Sequence, residues 1–137
     1  FDKQFIIQQS LSDFRVIQNN EKRLTVDDYN QIHAESRLFL GEALKSQTDM
    51  STVVITHHPP TFINYPDKYA NSTINEAFGT EMSNFIEESE IDYWIYGHHH
   101  CNVPEFTIGK TKLVTNQLGY IKYNENENFR SDAVFSI

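Results

Sequence analysis

The sequence predicts an α/β domain, and three segments carry that expectation. Thr52-Val-Val-Ile-Thr56 is a run of β-branched residues, the composition of a strand buried on both faces. Tyr93-Trp-Ile-Tyr96 is a second apolar run of strand length. Between them, Ala77, Phe78, Met82, Phe85 and Ile86 recur at helical spacing. Strand, helix and strand, with both strands apolar, describe a parallel βαβ unit.

The remaining elements follow in chain order. Residues 1–12 mix apolar and amide side chains without a clear period. Asp13–Ile17 has the composition of a short strand, followed by the polar turn Gln18–Arg23. Thr25 reads as an N-cap with Asp28 three positions on, the spacing of a capping box. Tyr29, Ile32, His33, Ser36, Phe39, Leu40, Ala43 and Leu44 then mark one stripe of a long helix. His57-His58-Pro59-Pro60 ends the first strand, because proline donates no ladder hydrogen bond and its predecessor avoids the helical region. A loop over 61–73 leads to the second helix, for which Thr80 is an alternative N-cap after Gly79. Glu105–Thr115 reads as a hairpin turning at Gly109-Lys110, and Ala133–Ile137 as a last strand.

Composition bounds the function. The chain has 137 residues, the size of one domain, and nothing in it marks a linker or a repeat. One cysteine excludes an intramolecular disulfide framework and fits a reducing compartment, the cytoplasm. No apolar run is long enough for a signal or a membrane span. A net charge of −8 disfavours nucleic acid as a partner, since binding there depends on basic contacts to phosphates.

Histidine distribution is more informative. Five of the six histidines form two groups, His57-His58 and His98-His99-His100, each placed directly after a predicted strand. Ligands of parallel α/β sheets gather at the carboxyl ends of strands, so both groups are expected at one site. Gly97 would let the chain turn there. In an extended loop His98 and His100 share one side and His99 faces away. Imidazole is the commonest metal ligand, and His57, His98 and His100 suffice for an open metal site. The triplet lies between YWIY and CNVP, not at a terminus as an affinity tag would. His33, on the packing side of the long helix, reads as a hydrogen-bonded core residue. Cys101 reads as an inert thiol, Asp92 as a surface residue, and Asn124–Asn128 as a solvated loop.

VVITHHPP followed by YWIYGHHH resembles the last two motifs of the calcineurin-like metallophosphoesterases. DFRVI, QIHAESRLFLGEAL, NEAFGTEM and KLVTNQLGY are similar to segments of one bacterial branch of that family. The resemblance implies the C-terminal half of a metallophosphoesterase-type αββα sandwich with a terminal β-hairpin, one domain over 1–137. It implies hydrolysis of a phosphate ester at a dinuclear centre of divalent ions (Mn, Fe, Zn or Mg), whose charge offsets that of the phosphate. His57 and His98 would bind one ion and His100 the other, with His58 as the catalytic residue touching substrate. Asn116 would support loop geometry.

The family's upstream motifs, Asp-x-His, Gly-Asp-x-x-Asp and Gly-Asn-His, have no counterpart here. With a start at Phe1, the expectation is that an N-terminal half lies upstream, and that the chain alone self-associates and hydrolyses little. Alternative readings are a non-catalytic module of the same fold that binds a protein partner, and a simple zinc-binding protein. The partner expected under the first reading is a phosphorylated small molecule or other phosphoester, not a membrane.

Overall fold

The computed structural model describes residues 2–45 and 50–136. They form two compact units, 2–45 with 72–77 and 50–71 with 78–136. Among the described residues the fold is mixed α/β, with four α-helices, one mixed four-stranded sheet and one two-stranded ribbon.

In the first unit, α1 (Lys3–Ser10) begins at Asp2, whose side chain accepts a hydrogen bond from the Gln4 amide at 3.0 Å. Asp13–Val16 forms a single helical turn, α2, where a strand was expected. Its amides are satisfied locally: Arg15 and Val16 donate to the Ser12 carbonyl, and Ile17 to that of Asp13. Only Phe14 of this stretch is buried, edge-on to Tyr29, while Val16 is 72% exposed. A short apolar run without a ladder partner closes its hydrogen bonds within itself. The polar turn contains a ribbon, β1 (Gln18–Asn19) with β2 (Lys22–Arg23), joined by Asn20 and Glu21 at φ 49° and 66°. Two consecutive left-handed residues are what a tight antiparallel turn requires.

The long helix, α3 (Val26–Lys45), starts where its cap signal lies. Asp28 Oδ2 accepts from the Thr25 amide and hydroxyl at 2.9 and 2.6 Å, and Thr25 Oγ1 accepts from the Asp28 amide at 3.1 Å. Tyr29 is half-buried and donates to the Ala77 carbonyl. The stripe is not a packed face throughout, because Ile32 and Phe39 are exposed. His33 is half-buried rather than a core residue.

In the second unit, β3 (Val53–Ile55), β4 (Tyr93–Ile95), β5 (Phe106–Ile108) and β6 (Thr111–Val114) lie in the order β3-β4-β6-β5. β3 and β6 both run parallel to β4, and β5 returns antiparallel to β6 through Gly109 at φ 57°. The register aligns Val54, Trp94 and Leu113 across three strands, and Trp94 and Leu113 are fully buried. Thr111, also fully buried, donates its hydroxyl hydrogen to the Ile91 carbonyl. Among the described residues β3 lies at an edge of the sheet, and with Ile55 73% exposed it is not covered on both faces as its composition suggests. The second helix is shorter than its periodicity predicts. α4 spans Ser83–Glu87, and Glu81 sets its start by accepting from the Ser83 and Phe62 amides. Ala133–Ser136 form no strand; Tyr93 donates to the Ser136 carbonyl and Phe135 packs on its ring. Ile137, the end of the expected strand, lies outside the described residues.

Candidate metal centre

Both histidine groups emerge at the carboxyl edge of the parallel strands. Beyond β3 the pairing continues, with the Thr56 amide donating to Ile95 and the Gly97 amide to the His57 carbonyl. Thr56 also ties the loop to the core: its hydroxyl donates to the His58 carbonyl at 2.7 Å and accepts from Trp94 Nε1 at 3.0 Å. Pro59 and Pro60 are buried and fix the chain as it leaves the site.

His57, His58 and His98 converge, one ring nitrogen from each lying within 4.8 Å of the others. His98 Nδ1 is 3.1 Å from His57 Nε2. Two imidazole nitrogens on one tetrahedral zinc, each about 2.05 Å from the ion, would be roughly 3.3 Å apart. The spacing of His57 and His98 therefore fits ligands of a single ion. Phe78 stacks on His98 at 4.5 Å between ring centroids and meets His58 edge-on at 6.2 Å, forming an apolar wall behind both rings. The donor set is all imidazole, without a carboxylate.

The triplet does not run extended. His98 and His100 have φ of 80° and 48°, whereas Gly97 is not left-handed. The sharp turning falls on histidines instead of on the glycine beside them, and the three rings diverge. His98 joins His57 and His58. His99 is buried, edge-on to Tyr65 and Tyr96, and burial foremost pushes its pKa down to about 4, so it stays neutral. His100 turns to Glu125, with Nδ1 2.9 Å from Oε2. The structure thus gathers His57, His58 and His98 in one group and sets His100 beside a carboxylate outside that group.

Three neighbours were not singled out as site residues from sequence. Gln117 accepts from the His100 amide at 2.8 Å and donates to the Cys101 carbonyl and the Thr115 hydroxyl. It follows β6, the third parallel strand, so its place at a strand's carboxyl end was the available signal. Phe78 and Glu125 had no such signal, since each arrives from a loop distant in sequence. Asn116 exchanges two hydrogen bonds with the Arg130 backbone and braces the loop there. Asp92 Oδ2 accepts from the Thr52 amide. In the 61–73 loop, Tyr65 packs against His99, Phe62 and Tyr69.

No family model matches the chain, and no solved structure matches it significantly. One curated protein does. The chain is 32% identical over 142 aligned residues to the uncharacterized protein L509 of Acanthamoeba polyphaga mimivirus, covering 96% of this chain and 49% of that protein. The chain therefore spans about half the length of the curated relative it matches. Among the described residues, no helix is long and apolar enough to cross a membrane.

Proposed function

We propose that the protein hydrolyses phosphate esters as a calcineurin-like metallophosphoesterase, and that this chain supplies the C-terminal ligands of a dinuclear centre. The observation that carries this reading is the approach of His57 and His98 to ligand spacing from the ends of two adjacent parallel strands. In it, His57 and His98 hold one ion and His100 the second. His58, whose ring centroid is 4.5 Å from that of His98, faces the substrate. Divalent ions bound there would polarise the phosphate oxygens and lower the pKa of an attacking water. The imidazoles add no negative charge, so the site accepts an anionic ester despite the net charge of −8. The αββα sandwich and the upstream carboxylate ligands belong to the same proposal.

The test is metal binding followed by anion binding. Manganese or zinc should bind with two ions per chain once upstream ligands are present, and inorganic phosphate should bind only the metal-loaded form. His57→Ala and His98→Ala should abolish the first site. Two ions per chain still bound after either substitution overturn the reading. For the 137-residue chain alone, little turnover of p-nitrophenyl phosphate or its bis ester is expected; turnover that His98→Ala removes would contradict this.

A second reading rests on the His57–His58–His98 group itself, a three-imidazole set suited to a single zinc with one open position. It predicts one ion per chain, sensitivity to His58→Ala and indifference to His100→Ala.

A further inference from the structure

Glu125 lies in a stretch, Asn124–Asn128, whose composition is that of a solvated loop, yet its carboxylate is directed at the site. The turn Ile121–Tyr123 ends at Asn124, left-handed at φ 57°, and the reversal brings Glu125 back over Tyr120. One carboxylate oxygen, Oε2, then accepts from the Tyr120 amide at 2.8 Å and meets His100 Nδ1 at 2.9 Å. Tyr120 adds its ring edge-on to His100 at 4.6 Å between centroids. Gly119 makes the approach possible. It sits at φ 64°, and a Cβ there would fall 2.5 Å from Glu125 Cβ and 3.1 Å from His100 Cβ. His100 and Glu125 retain only 31% and 20% of their side-chain exposure, which weakens competition from water.

We infer that Glu125 is a positioning residue for His100, fixing the ring proton on Nδ1 and leaving Nε2 as the lone-pair nitrogen. An ionised carboxylate only accepts, so the nitrogen facing it must carry hydrogen. Glu125 Oε2 already accepts from the Tyr120 amide, so the same oxygen faces His100 Nδ1 as an acceptor. A neutral imidazole has one N–H, and placing it at Nδ1 dictates a bare Nε2. Metal-ligating histidines are oriented in this way by a carboxylate behind them. The inference rests on the reading in which His100 is a ligand, and it makes Glu125 and Gly119 part of the same device.

The test is long-range proton–nitrogen NMR of the imidazoles in metal-free protein at about pH 8, where an ordinary histidine is neutral. The expected spectrum has His100 protonated at Nδ1 and bare at Nε2. Glu125→Gln keeps an accepting oxygen and should retain that tautomer; Glu125→Ala should move the proton toward Nε2. A native His100 protonated at Nε2, or at both nitrogens, overturns the inference, as does a tautomer unchanged in Glu125→Ala. Zinc titration of protein that also carries the upstream ligands is the second arm: Glu125→Ala should weaken the ion held by His100 about 10- to 100-fold and spare the His57–His98 ion. If the tautomer behaves as expected but no ion binds at His100, Glu125 is a positioning residue and the dinuclear reading fails. If both ions bind Glu125→Ala with native affinity, the positioning role fails and the dinuclear reading stands.

Discussion

His98 Nδ1 lies 3.1 Å from His57 Nε2 across 41 residues of sequence. The contact depends on the parallel pairing of β3 with β4, which puts Ile55 opposite Ile95 and releases both chains at one edge. Two nitrogen lone pairs this close are stabilised by a shared proton or a shared cation.

Metal should therefore stabilise the fold. A ligand that binds only the native state at a hundred times its Kd adds about 2.7 kcal/mol. Thermal melts with zinc or manganese should rise, return to baseline with a chelator, and show no rise in His57→Ala or His98→Ala. A metal shift that persists in both variants would remove these residues from the site.

The link between core and site runs through Thr56. Thr56→Val keeps the shape but leaves Trp94 Nε1 without its acceptor in a fully buried position. A buried donor left unpaired costs about 1–3 kcal/mol. Urea unfolding followed by the fluorescence of the one tryptophan should report that loss. The same variant removes the Thr56 hydrogen bond to the His58 carbonyl, so its metal affinity should fall as well. Native stability in Thr56→Val would count against this coupling.

The cap of α3 predicts a pH dependence. The Thr25 hydroxyl foremost, then its amide, hold the Asp28 carboxyl below the ordinary carboxylate range. A carboxyl whose folded pKa is depressed contributes stability above its unfolded value, near 3.8. That contribution is lost as pH falls through the lower, folded value. Asp28→Asn should flatten the acid limb of a stability–pH curve. At neutral pH, Thr25→Ala should cost about 1 kcal/mol by loss of an N-cap. An unchanged acid limb in Asp28→Asn would refute the assignment.

The outer edge of β3 has no paired strand among the described residues, and Ile55 is exposed on it. Exposed edges promote strand addition between chains. Light scattering of the 137-residue chain should show association that Ile55→Lys reduces. A clean monomer at high concentration would argue against an upstream half that pairs with this edge.

Much of the second unit was legible because its signals are local. The β-branched run, YWIY and the Gly109 turn each define an element within a few residues, and β3, β4 and the β5–β6 hairpin lie there. The α3 cap was equally local. Asp13–Ile17 misled because strand composition has meaning only beside a partner strand, and none pairs with it among the described residues. The shortening of α4 depends on Glu81 reaching the amides of Phe62 and Ser83, one of them far away in sequence. For the site, sequence located the histidine groups but not how the rings divide. Alternation along an extended loop pairs His98 with His100, and left-handed backbone at both residues breaks that alternation. Glu125 stayed hidden because its role exists only after the Tyr120–Asn124 turn has formed.

The backbone at His98 has one more consequence. At φ 80° a residue with a Cβ is held where glycine alone is at ease, at a cost of about 1–2 kcal/mol. His98→Gly should then relieve backbone strain while deleting the ring that meets His57. Folding alone would favour glycine there, and in the metal-site reading that strain is what it takes to present the imidazole to its partners.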